Sequence, residues 1–254
     1  MNDGSGATLA SGARSTAIGR RAKASGNDTL AFGTNSEATG VEAVAIGKGA
    51  ASTASKALAF GQGAQAKADD TVAVGTDAQA TLANSIAIGK NSVATGVFAS
   101  DRKGRAIAVG FNTQALGEDS VAIGSGVDAN AAALAQNRQS VALGWQARAT
   151  GTTQAVAIGP DAIASGTQST SIGNNTRATG DSSIAIGGDD WNIVRTKPVA
   201  AAGNKQVHQV FQELTGMEMK ANGEAYKNPF KGTTSADAAV AVGVNAYAEG
   251  VLST

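Results

Sequence analysis

The sequence predicts an all-β fold: a parallel β-roll, or solenoid, wound from 14-residue coils. Three observations lead there. A short motif, a small polar residue followed by aliphatic–Ala–aliphatic–Gly, occurs thirteen times in 254 residues. Its glycines are Gly19, Gly33, Gly47, Gly61, Gly75, Gly89, Gly110, Gly124, Gly144, Gly159, Gly173, Gly187 and Gly243. Eight of the twelve gaps between them are 14 residues, and the others are 21, 20, 15 and 56. No repeat unit holds an apolar periodicity of helix length. Self-similarity at a fixed short period is the mark of a solenoid.

Each unit divides into two strands and two turns. Val44 and Ile46 sit two apart, so an extended chain points them to one face and Ala45 to the other. Ile46, Ile88, Ile123 and Ile186 repeat the slot before the glycine, where β-branched residues favour strand. Gly47, Gly61, Gly75, Gly89, Gly124 and Gly187 follow, each able to take the backbone angles of a tight turn. A second half-motif, Ala-x-Ala-x-Gly, is seen at Ala22–Gly26, with related forms at Arg148–Gly151 and Arg177–Gly180. Two strands of about five residues and two turns of about two fill the repeat. Strands then pair in parallel with their equivalents in the next coil. A coil enclosing two large aliphatics and some alanines buries too little to offset its own ordering. One face is therefore expected to lie against other chains, with the alanine side of the strands allowing backbones to approach closely.

Along the chain, residues 1–14 read as a lead-in or partial coil and 15–187 as the β-roll. Within it, the 21-residue gap predicts a charged loop around Val97–Arg105, and the 20-residue gap an excess of six around Ala132–Arg138. Pro160 falls at a turn, where a missing N–H costs nothing. Residues 188–238 read as an insertion of ordinary globular composition. Val207, Val210, Phe211 and Leu214 predict a short helix over about 204–216, with Asn204 as N-cap and Gly216 beyond its end. The β-roll resumes over 239–254.

Composition narrows the function. Lys and Arg number 20 and Asp and Glu 20, so no basic footprint for nucleic acid exists. Aromatic residues are scarce (two Trp, two Tyr, six Phe) and cysteine is absent, which removes disulfides, thiol catalysis and thiolate metal sites. No 18-residue apolar run predicts a membrane helix, so no direct membrane insertion is expected of this chain. Met1–Gly12 lacks the pattern of a signal peptide, and the repeat stops midway at 245–254. The expectation is a fragment of a longer protein.

No Ser–His–Asp set, phosphate loop or metal-spaced cluster is present, so neither enzyme activity nor a cofactor is expected. His208 is the sole histidine and has no ligand partner at a recognised spacing. Asp69–Asp70 and Asp189–Asp190 read as solvated turn residues more readily than as a calcium site. Asn84 and Ser85, preceding a strand, are candidate ligand contacts, with the alternative that they satisfy backbone groups at turns. Trp191, Tyr226 and Phe230 are either a binding anchor or the small core of the insertion.

Asn84–Ser92 reads N-S-I-A-I-G-K-N-S, and Asp119–Gly124 and Ser182–Gly187 carry the same core. This pattern resembles the YadA-like head domain of trimeric autotransporter adhesins, whose motif is N-S-V-A-I-G-x-x-S. The resemblance covers roughly 5–187 and 239–250. It implies a left-handed parallel β-roll, a homotrimer, and display on a bacterial outer membrane. No neck, heptad stalk or β-barrel anchor matches, so the expectation is a head region of a longer adhesin. The function it implies is attachment to host cells or extracellular matrix, or autoaggregation, through many weak contacts by three chains, and carried over by position a matrix contact would involve Asn84, Ser85 and Ser92. A trimeric phage or bacteriocin-like fibre segment is the alternative.

Overall fold

The computed structural model describes residues 6–96, 104–189, 191–216, 233–244, 246–248 and 250–254. Two parallel ladders run through the repeats, one of 14 strands and one of 13. The chain alternates between them, so each coil gives one strand to each. Most strands of the 13-stranded ladder are three residues long: Val44–Ile46 pairs with Leu30–Phe32 on one side and Leu58–Phe60 on the other. Strands of the 14-stranded ladder are two residues long: Glu37–Ala38 lies between Lys23–Ala24 and Ala51–Ser52. In these pairings, equivalent residues of successive repeats face each other, so Ala45 stacks between Ala31 and Ala59, and Ile46 between Phe32 and Phe60.

The interior differs from the expectation. No large aliphatic is enclosed by the repeat of residues 33–46. Ser36, Ala38, Ala43 and Ala45 are fully buried, while Val44 and Ile46 are only partly buried. The same four slots hold Ala22, Ala24, Thr29 and Ala31 in the preceding repeat, all buried. The core is thus mainly a column of methyls and hydroxyls between two sheets, and most large side chains stand outside it, the buried Leu134 and Glu118 being exceptions. The cause is the shortness of the turns. They hold the sheets so close that a methyl from each fills the gap, and only the outer surface has room for Ile.

Both turns of a repeat have one construction. In the first, Ser36 N–H donates to Gly33 O (3.2 Å); in the second, Ala43 N–H donates to Gly40 O (3.3 Å). The third residue of each is left-handed, Asn35 at φ 57° and Glu42 at φ 59°. Asn and Asp tolerate this region best: the first turn's column carries Asn35, Asp77, Asn91 and Asn112, and the second's Asp28, Asp70, Asn84 and Asp119. These residues also bind the coils together, because Asn35 N–H donates to Arg20 O and Glu42 N–H to Asn27 O (both 2.9 Å).

The motif glycine has a second constraint besides its backbone angle. Gly47 lies at φ +132°, and a Cβ there would sit 2.3 Å from Gly61 O. The next coil therefore occupies the space a side chain would need.

The irregular gaps are absorbed in turns. The excess six residues of the 20-residue gap lie in 125–132, before the strand Leu134–Ala135, rather than around 132–138. There Asp128 Oδ1 accepts from Asn130 N–H (2.8 Å) and Ala131 N–H (2.9 Å), an Asx-type turn that closes the loop locally. Most of the loop expected at Val97–Arg105 lies outside the described residues. Across the 56-residue gap, Ile184 pairs with Val240 and Arg177 with Thr234, so both ladders continue directly.

Within that gap the described residues form helix α1 (Trp191–Thr196), a hairpin of Pro198–Val199 with Lys205–Gln206, and helix α2 (Val207–Thr215). Helix α2 starts later than its spacing predicts. Gln206 is its N-cap, in a reciprocal capping box with Gln209, while Asn204 is a left-handed residue (φ 63°) in the hairpin turn. Gly216 ends the helix in the left-handed region, φ 71°.

Candidate functional site

The two sheets present unlike outer faces. On the 13-stranded sheet, both outward slots of each strand are apolar in nearly every repeat. Leu30, Val44, Leu58, Val72, Ile86, Ile107 and Val121 form one column, each half-buried by its neighbours. Ile18, Phe32, Ile46, Phe60, Val74, Ile88, Val109 and Ile123 form the other, and Phe60 is 50% and Ile88 40% exposed. The stripe continues through Ile186 and Val242. Thirteen strands at about 4.8 Å make it roughly 60 Å long.

The 14-stranded sheet carries mainly polar residues outward: Lys23, Glu37, Gln65, Gln79, Gln114, Arg148 and Arg177. Residues from neighbouring repeats pair here and at the corners. Lys23 Nζ meets Glu37 at 3.0 Å, and the Arg105 guanidinium is bidentate on Asp119 (2.6 and 2.9 Å). Gln168 donates to Gln154 (2.9 Å) and Gln154 to Gln139 (3.2 Å), a ladder of amides. Hydrogen bonding to the Arg14 guanidinium holds the Asp28 carboxyl below its usual range.

The structure assigns each position of N-S-I-A-I-G-K-N-S a place. Asn84 takes the left-handed turn position at φ 60°. Ser85 is fully buried, its hydroxyl donating to Gly104 O (3.1 Å) and accepting from Ala106 N–H (3.3 Å). Ile86 and Ile88 face out and Ala87 faces in. Gly89 turns the chain at φ +124°, Asn91 repeats the left-handed position, and Ser92 is buried with its hydroxyl on Gly89 O (2.9 Å). The two serines are therefore engaged inside the coil and present no surface to a ligand.

The other candidates scatter. The Trp191 backbone opens α1, whereas Tyr226 and Phe230 lie outside the described residues. His208 sits on α2 with Nδ1 2.9 Å from Arg195 O, a bond between the two helices. Asp69 Oδ1 accepts from Ser55 N–H (3.1 Å) and Asp70 is left-handed, φ 57°, so this pair serves a turn. Asp189 accepts from Asn174 (2.7 Å) and Asn175 (3.3 Å), and Asp190 lies outside the described residues. Among the described residues no group of three His, Cys, Asp or Glu is placed to hold a metal ion.

Sequence reasoning missed the apolar stripe as a surface because it placed the aliphatics inside. The usable signal is the size of the slots: Ala, Ser or Thr alternates with Val, Ile, Leu or Phe on the same strands.

No curated protein matches the chain in sequence. The family model described as the YadA head domain repeat (2 copies) matches residues 10–36, 38–64, 52–78, 66–92, 83–99, 104–126, 135–162 and 164–189. These stretches cover more than half of the 254 residues, and their ends follow the coils rather than any break in the ladders. The small-residue core, the left-handed turn columns and the outward aliphatics are thus repeated features of one family unit, and the chain belongs to the family of YadA head domain repeats.

Proposed function

We propose that the chain is the head of a bacterial surface adhesin, a left-handed roll of 14-residue coils that works as a homotrimer and holds target surfaces without catalysis. The observation that carries this reading is the apolar stripe. A continuous exposed apolar face of this length is a mark of an interface. Burying the exposed half of an aliphatic side chain stabilises by about 1 kcal/mol, so covering the stripe contributes on the order of 10 kcal/mol per chain. Two copies of the same chain, in the same orientation, match it rung for rung. That arrangement leaves the polar sheet outward on all three chains, where repeated weak contacts to a host matrix or cell-surface protein add up as avidity.

The expected mass in solution is that of three chains, by sedimentation equilibrium. A folded monomer at micromolar concentration would remove the basis of the proposal. For adhesion itself, beads coated with the protein are expected to attach to matrix-coated surfaces or host-cell monolayers above the level of albumin-coated beads. Equal attachment of both bead types would refute that role.

A further inference from the structure

We propose that Thr170 fixes the register in which copies of the chain pack along the apolar stripe, its hydroxyl bonding to the same hydroxyl of the neighbouring copies. The inference rests on the trimeric reading above and names the residue that sets the alignment within it.

The two columns of the stripe are interrupted by a polar side chain on only two of the 13 strands, at Thr16 and Thr170. Thr16 is exposed, in the terminal strand, with a neighbour on one side only, Leu30. Thr170 stands inside the ladder, half-buried, between Val156 and Ile184. The core side of the same strand is exceptional too. Ser171 takes the slot that holds Ala157 and Ala185 on either side. Its hydroxyl is satisfied within the coil, with Ser171 Oγ 2.7 Å from Thr176 Oγ1. The Thr170 hydroxyl has no such partner among the described residues of its own chain, and aliphatic side chains flank it on both sides.

In a single chain, water can satisfy this hydroxyl. Covering the stripe with aliphatic side chains removes the water, and a hydroxyl buried without a partner is costly. Three-fold symmetry supplies the partner. Parallel copies at one level bring three Thr170 side chains together on the covered face. A hydroxyl donates once and accepts readily, so three of them close a ring with no donor left over. Much of the stripe gives no comparable signal. From Ile107 to Ile158 every outward slot holds Val, Ile or Leu. A copy displaced by one coil, about 4.8 Å, exchanges one such residue for another with little change in packing. Its Thr170 then faces a valine or isoleucine of the neighbouring copy, and the ring of hydroxyls is broken. A single polar residue in an apolar seam fixes the register of coiled coils through the same penalty.

The test is thiol cross-linking of the full chain, which has no cysteine of its own, so an introduced thiol reports alone. Thr170→Cys is expected to give a disulfide-linked dimer on a non-reducing gel after oxidation, since the linked Cα atoms must lie within about 7 Å. Gln65→Cys, on the polar sheet, is expected to stay unlinked. Register is read by refolding two versions together, one with Val141→Cys and one, lengthened by a tag, with Val156→Cys. These two positions occupy the same slot on adjacent strands. A link between unlike chains therefore reports displacement by one coil, and a link between like chains reports alignment. The ratio of displaced to aligned product is expected to rise about tenfold when Thr170→Val is added, and to stay at the parental value with Thr170→Ser, which keeps the hydroxyl. Valine matches threonine closely in shape, so the Thr170→Val protein is expected to remain folded, checked by its thermal melt. In a protein that sediments as three chains, an unlinked Thr170→Cys, a ratio unmoved by Thr170→Val, or an equal rise with Thr170→Ser would overturn the proposal and leave the trimer standing. A parent that sediments as one chain defeats both.

Discussion

A residue in this protein is chosen first for its size and only then for its chemistry. Gly47 is expected to be among the least replaceable. Alanine there meets both a left-handed backbone and the Gly61 carbonyl 2.3 Å away. Gly47→Ala should therefore cost about 3 kcal/mol or more, whereas Gly49→Ala, at φ +68° with open space around it, should cost about 1 kcal/mol. Thermal melts of the two variants against the parent check the contrast. Ala45→Leu, into the fully buried core, should destabilise by about 1–3 kcal/mol through overpacking. The Arg14–Asp28 pair acts differently, because it is exposed. Its carboxyl is lowered in the fold, so its contribution is present above the ordinary value of 3.8 and is lost as the pH falls through the folded value. The melting difference between the parent and Arg14→Gln, taken at low salt, should shrink on acidification below pH 3.8 and also on adding salt.

At the scale of an element, much was legible and one assumption misled. Strand positions, the register between repeats and the turn glycines follow from the alternation in Val44–Ala45–Ile46–Gly47, because a period of two and a fixed repeat admit few arrangements. Which side of the strand faces inward was misread. The rule that large apolar residues go inside assumes a core thick enough to hold them, and these turns leave room for a methyl. The spacing of Val207, Val210, Phe211 and Leu214 marks α2, yet Asn204 looks like a cap in sequence and acts as a hairpin turn in space. The closeness of Arg148 and Arg177 was not legible at all, since the two come together only across one intervening strand, that of Ile163. The gap between the strands at Ile184 and Val240 gives a further prediction at this scale. Joining Asp189 to Thr233 leaves two residues after Gly187 before the next buried slot, as Lys48 and Gly49 follow Gly47. Deleting 190–232 should therefore keep the β-type circular dichroism and change the melting temperature by only a few degrees; loss of the β signal would show that the intervening chain holds the ladders together.

For the whole molecule, the inverted polarity decides behaviour. A roll whose interior is alanine and one of whose two outer faces is a stripe of Ile, Val, Leu and Phe is poorly suited to stand alone in water. Ile88→Asp and Ile123→Asp place a charge on the stripe at residues 40% and 43% exposed in the single chain. Neither disturbs the small-residue interior, so the chain's own coil is unaffected while its covering face is spoiled. The double variant is expected to sediment as a smaller species and to melt at least 10 °C lower than the parent, given a loss of several kcal/mol at the interface. A double variant that keeps both mass and melting temperature would mean that the stripe is not the contact. The backbone hydrogen bonds between repeats also have a mechanical meaning. They all point along the stack, so tension applied to the chain ends detaches one coil at a time, as a thread leaves a spool. Each release pays out about 45 Å of extended chain less one rung of the stack. A pulling trace from such a molecule should be a train of small, equal steps at modest force, so that under the proposed adhesive role a jolt would be absorbed by lengthening rather than by letting go.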